Sequence, residues 1–148
     1  MKIALSIQRA SRLASIPSDA LLRKWVRAGL AAVPDVDAAT LTVRVVNASE
    51  GRELNHDFRG KDYATNVLTF VYHDEGSTML MGDLVLCAPV VAKEAREQSK
   101  SVAAHYAHLC VHGVLHLAGF DHDTNKQAKV MEALEISVLA GLGLGNPY

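Results

Sequence analysis

Residues 112–122 read His-Gly-Val-Leu-His-Leu-Ala-Gly-Phe-Asp-His, which sets three histidines at separations of four and six positions. Residues four apart on an α-helix lie one above the other on the same face. If this segment is helical, His112 and His116 aim two imidazoles at one point. The preceding run supports a helix: Val102, Ala103, Ala104, Ala107, Leu109, Val111, Val114, Leu115 and Leu117 are apolar, and no proline interrupts them. Gly119 then offers the left-handed backbone position that commonly ends a helix. A turn there brings His122 back toward His112 and His116. Three imidazoles leave a tetrahedral metal with one open position, the pattern of a catalytic rather than a structural zinc.

His105 and His108 extend the same stripe. At 1.5 Å per residue, His108 and His116 stand about 12 Å apart along a straight helix. Metal–nitrogen bonds of about 2 Å do not easily let three successive turns share one ion. His122 is therefore the better third ligand, and His108 is expected to orient a neighbour or to pack.

The pattern matches the defined positions of the metzincin motif H-E-x-x-H-x-x-G-x-x-H except one, where Gly113 stands in place of glutamate. In metalloproteases that glutamate takes a proton from the zinc-bound water. Glycine cannot. The metal geometry survives, whereas peptide hydrolysis by the usual route does not. Asp121 and Asp123 flank His122 and are expected to support a ligand rather than to act as the base.

A chain of 148 residues with 49% hydrophobic content suffices for one compact domain, residues 1–148, with a real core. Aromatic residues are 5%, so aliphatic side chains must do most of the packing. Cys87 and Cys110 are too few for a disulfide framework and form no C-x-x-C pair. Both are expected to be reduced and apolar, in keeping with a cytoplasmic protein. The N-terminal segment lacks the long apolar stretch of a signal peptide, because Gln8, Arg9 and Arg12 interrupt it. No run approaches the 18 or more apolar residues of a membrane span, so no membrane association is expected.

The net charge of −1 conceals an asymmetry. Residues 1–61 carry ten Lys/Arg against six Asp/Glu, and residues 62–148 carry five against ten. The histidine stretch lies in the acidic half, where a divalent cation relieves repulsion. Overall charge gives no support to nucleic-acid binding, which usually shows as a basic excess.

The elements that must position these residues follow from periodicity. Lys2–Gln8 alternates as a short strand. Pro17-Ser18-Asp19 opens a helix capped by Ser18, with Leu22, Trp25, Val26 and Leu30 at helical spacing. Thr40–Asn47 is a half-buried strand carrying Leu41, Val43 and Val45 on one face. Ser49 is expected to cap a short helix, after which Arg59-Gly60-Lys61 forms a polar loop. Asn66–Tyr72 and Met81–Cys87 are strands. A helix starts with Pro89 near its first position and runs to about Lys100. Ser101 caps the histidine helix, and Thr124 with Gln127 forms a capping box for the last one. The order β-α-β-α-β-β-α-α-α predicts an α+β fold: a small mixed sheet of about four strands packed with about five helices, the histidine helix at its centre.

The run His112–His122, read as H-G-x-L-H-L-x-G-[FY]-D-H, resembles the signature of the YbeY-type single-strand endoribonucleases. The resemblance covers nearly the whole chain, through Leu54-Asn55, Arg59, Lys61-Asp62, Thr65–Phe70, Gly82-Asp83-Leu84 and the segment from Met131 to Tyr148. One departure is Val71-Tyr72 after Phe70, where the family often has a proline. The resemblance implies one Zn²⁺ ion on His112, His116 and His122, and a functional role for Arg59. It further implies single-stranded RNA as substrate, and a cytoplasmic role in ribosomal RNA maturation, including the 3′ end of the small-subunit RNA, and in ribosome quality control. Partners implied are the small ribosomal subunit, a small-subunit ribosomal protein and an Era-type GTPase.

The chemistry has its own logic. A metal with an open position lowers the pKa of bound water and polarises a phosphoryl oxygen. A guanidinium meets the growing phosphate charge with two parallel hydrogen bonds. Judged alone, Arg59 reads as a solvated surface arginine; the resemblance reverses that. Three functions stay open on the sequence: a metal-dependent endoribonuclease, a metallohydrolase of another substrate class, and a non-catalytic zinc-containing ribosome assembly factor.

Overall fold

The computed structural model describes residues 1–148. Its elements are β1 (Lys2–Arg9), α1 (Asp19–Ala31), β2 (Ala38–Val46), α2 (Ala48–Arg59), β3 (Val67–Val71), β4 (Met79–Cys87), α3 (Ala88–Glu97), α4 (Val102–Leu117) and α5 (Asn125–Gly141). Four strands and five helices in the expected order make the α+β fold. The strands are arranged β1-β2-β4-β3, with β1, β2 and β4 parallel and β3 antiparallel to β4.

Alternation along the strands divides the core in two. Leu41, Val43, Val45, Leu84 and Leu86 join the main cluster, which includes Trp25, Leu30, Tyr106, Val111 and Leu115 from α1 and α4. Val46, Val85 and Cys87 form a smaller cluster with Leu68, flanked by Leu54 of α2. Successive side chains of a strand point to opposite faces, so α4 and α2 cover opposite faces of one sheet. β3 is the edge strand between them.

Helix α4 lies against the sheet at Gly113. A Cβ on Gly113 would collide with Cδ1 of Leu84 and stand 3.0 Å from its Cγ. The position that holds the metzincin glutamate is thus buried against β4. Both cysteines are buried and free, as expected. No helix is long and apolar enough to cross a membrane.

Three predicted caps form: the side chains of Ser18, Ser101 and Thr124 accept from Leu21, Ala104 and Gln127 backbone N–H groups, the last within a full capping box. Other boundaries differ from expectation. Helix α2 starts two residues earlier, with Asn47 rather than Ser49 as N-cap, and the Asn47 amide oxygen instead accepts from the Ser11 hydroxyl at 2.6 Å. Arg59 is the last helical residue rather than part of a loop, because Gly60 takes the left-handed conformation (φ 68°) that ends α2. Strands β2 and β4 both begin two residues early, since Ala38 and Met79 pair with each other. Helix α3 stops at Glu97, where left-handed Ser99 (φ 53°) turns the chain.

Candidate metal centre

Helix α4 presents His112 and His116 one turn apart with their rings nearly parallel, centroids 6.4 Å apart and planes at 7°. Ala118 ends the helix, Gly119 is left-handed at φ 102°, and the Phe120 amide donates back to the Leu115 carbonyl at 3.0 Å. That turn returns the chain so that the His122 ring lies 5.7 Å from His112 and 6.1 Å from His116. The three sequence-predicted histidines therefore meet.

The hydrogen bonds of the rings decide which nitrogens keep a lone pair. Nδ1 of His116 lies 3.1 Å from the Phe120 carbonyl oxygen. A carbonyl only accepts, so this nitrogen carries the proton and Nε2 keeps its lone pair. Nδ1 of His112 lies 3.3 and 3.4 Å from the two oxygens of Glu135. A carboxylate likewise only accepts, so Nε2 of His112 also keeps its lone pair. A carboxylate or carbonyl behind each imidazole is the usual outer support of a metal-binding histidine.

Glu135 was not legible as part of the site. It projects from α5, fully buried, and collects a 2.7 Å bond from Nε2–H of His108 and a 2.9 Å bond from the Tyr148 hydroxyl. Burial alone would raise its pKa; the hydrogen bonds from His108 and His112 outweigh it and hold the carboxyl down to about 2. The available signal was an acidic residue on an apolar stripe, since Met131, Glu135 and Leu139 succeed one another at four-residue spacing.

Two groups of potential ligand atoms fall within 4.8 Å of one another: His108, His112 and Glu135, and Asp121, His122 and Asp123. In the first, His108 Nε2 and His112 Nδ1 are both hydrogen-bonded to Glu135. In the second, Asp121 accepts from the backbone N–H of His122 at 2.7 Å rather than from its ring, and that bond holds its carboxyl below the usual range. In the imidazole trio, His112 and His116 each have the Nδ1 nitrogen bonded, which leaves Nε2 of each open to an ion.

His105 stands apart. It is buried, and its Nε2 lies 2.9 Å from Glu94, which also accepts from Asn66 at 3.0 Å. Burial pushes its pKa down, against the pull of Glu94.

A cleft of about 960 Å³ opens in front of the trio. His112, His116 and His122 line it together with Arg59 from the last turn of α2. Arg59 is exposed, so its guanidinium is available to an anion. Arg44 lines the same cleft but is held by Glu50 in two bonds of 2.6 and 2.8 Å.

Comparison with known proteins agrees with this architecture. The family model described as endoribonuclease YbeY matches residues 6–143. Curated proteins named endoribonuclease YbeY include one from Aromatoleum aromaticum, 55% identical over 150 residues that span 99% of this chain and 93% of that protein. Another, from Xanthomonas axonopodis, is 51% identical over 154 residues, covering 100% and 94% of the two chains. A solution structure of a Thermotoga maritima protein superposes with a TM-score of 0.59 at 26% identity, over 94% of this chain and 91% of that one. By matches that run from the first strand through the histidine turn into the last helix, this chain belongs to the YbeY endoribonuclease family.

Proposed function

We propose that this protein cuts single-stranded RNA with one zinc ion held by His112, His116 and His122, and with Arg59 engaging the phosphate. The observation that carries the reading is the shared cleft: two imidazoles with their far nitrogens already bonded, a third returned by the Gly119 turn, and an exposed guanidinium opposite. The ion supplies Lewis-acid chemistry at the phosphoryl group. Arg59 binds the phosphate through its planar fork and meets the negative charge that grows in the transition state. Phe120 and Glu135 hold the rings in the orientation an ion needs.

The setting we assign is ribosomal RNA maturation and ribosome quality control in the cytoplasm, at the small subunit, with a small-subunit ribosomal protein and an Era-type GTPase as partners. Family membership supports it. The packing of Gly113 speaks against a zinc peptidase, since it leaves no space for that enzyme's base.

Metal analysis and RNA cleavage on one purified sample test the reading, against a matched His116→Ala preparation. Cleavage of single-stranded RNA that tracks zinc content and vanishes in His116→Ala is the expected result. Zinc-loaded protein that binds small subunits and leaves RNA intact would overturn it in favour of an assembly factor.

A further inference from the structure

The chain has seven Phe and Tyr residues, and three of them, Phe58, Phe70 and Tyr72, line the cleft in front of the histidines. Of the rings outside the cleft, Trp25 and Tyr106 are buried, while Tyr63 and Tyr148 are exposed. Within it, Phe58 and Tyr72 are 67% and 60% exposed. Neither ring is loose. Phe58 meets Phe70 edge to face, with centroids 5.1 Å apart and planes at 74°. The Tyr72 hydroxyl donates to Asp83 at 2.7 Å. Two aromatic rings are thus fixed by their neighbours with much of their surface open to solvent.

Electrostatics in the cleft argues for what they do. Proteins that hold nucleic acid by its backbone do so with several free cations. Here Arg44 is neutralised by Glu50, and Asp83, Asp121 and Asp123 line the same space. Besides the proposed ion, Arg59 is left as the side-chain cation free to meet a phosphate. Both act at one phosphate, so affinity for the rest of the strand needs a second source, and base–aromatic stacking is one that requires no further cation.

We propose that Phe58 and Tyr72 form a stacking platform for unpaired bases of the RNA strand whose phosphate engages Arg59. This rests on the endoribonuclease reading above and adds the part of the substrate that the cleft recognises. It also gives a physical reason for single-strand selectivity: in a duplex the base faces are already stacked on one another, so the two rings have nothing to receive. Phe58 immediately precedes Arg59 in the last turn of α2, which couples base and phosphate recognition within one rigid element.

The test is a cycle between protein and substrate. Zinc-loaded full-length protein is assayed for binding and cleavage of a short single-stranded RNA in which one base at a time is removed to leave an abasic sugar. Wild-type protein should lose about tenfold in affinity at one or two abasic positions, the size of one stacked base. Phe58→Leu and Tyr72→Leu should each weaken intact RNA by about tenfold, at unchanged zinc content and melting temperature. For one abasic position each, the two losses should not add. Phe58→Tyr should restore binding, because it returns a ring. Binding should also depend weakly on salt, with a log–log slope of about −0.7 for one phosphate contact. Wild-type affinity in both Leu variants, or abasic losses that simply add to theirs, would overturn the platform while leaving the endoribonuclease reading standing. RNA that is neither bound nor cut by zinc-loaded wild type would overturn both.

Discussion

Nδ1 of His112 and the carboxylate of Glu135 lie 3.3 Å apart, across a helix–helix contact that joins residues 23 positions apart in sequence. The contact makes the orientation of a proposed ligand depend on α5. Glu135 in turn is steadied by His108 and Tyr148, so a buried, ionised carboxylate with three donors stands behind the cleft.

Glu135→Gln should lower zinc affinity about 10–100-fold, the usual cost of losing an outer-shell carboxylate. Competition titration with a chromogenic chelator measures it. Glu135→Ala should also destabilise the fold by about 3–5 kcal/mol, because His108 and His112 lose a buried anionic partner. Unchanged zinc affinity in Glu135→Gln would confine Glu135 to a packing role.

Replacing His112, His116 or His122 by Ala should each reduce bound zinc steeply, as each removes one of three proposed protein ligands. His105→Ala should retain zinc, since His105 bonds to Glu94 and not to the trio. Elemental analysis after dialysis reads both. Zinc persisting at wild-type level in His122→Ala would transfer the third position to the group formed by His108, His112 and Glu135.

Stability should fall on the acid side in two stages. Burial depresses the His105 pKa, so its contribution is complete above the ordinary value of 6.5 and declines as pH falls below it. The Glu135 carboxyl, held at about 2 against an ordinary 4.5, contributes about 3 kcal/mol that persists above pH 4.5 and is lost as pH falls toward 2. Urea unfolding of metal-free protein across this range measures both, and Glu135→Gln should lose the lower stage alone.

Arg59→Glu should fold and keep its zinc yet lose RNA cleavage by a hundredfold or more, since removing one transition-state donor typically costs about 2.7–4 kcal/mol. Arg59→Lys should be intermediate, keeping the charge without the planar fork. Cleavage rate, zinc content and melting are measured together. Full activity in Arg59→Glu would remove Arg59 from the mechanism and leave the histidines untouched.

Gly113→Ala should destabilise by about 1–3 kcal/mol through overpacking against Leu84. Gly113→Glu should unfold or shift α4 rather than create a peptidase. Chelator-sensitive peptide cleavage by either wild type or this variant would contradict the assignment of position 113 to packing.

Features governed by local geometry could be read from residue types and their spacing. The four-residue step from His112 to His116 needs only a helix, and the turn that returns His122 needs only Gly119. The caps at Ser18, Ser101 and Thr124 are likewise bonds within four residues. Even the number and order of elements were legible, because hydrophobic periodicity is a local property. What needed the tertiary structure was each contact made across the fold. Arg59 could not be assigned to the histidine cleft from its neighbours, because α2 and α4 cover opposite faces of the sheet and meet only beyond edge strand β3. The strand starts at Ala38 and Met79 were set by mutual pairing, and the glycine at 113 by Leu84 on another element. Glu135 was hidden for the same reason. A carboxylate on a helix carries no local mark of its partners, and only the packing of α5 on α4 brings it to His108 and His112, where burial and hydrogen bonding make it an anion.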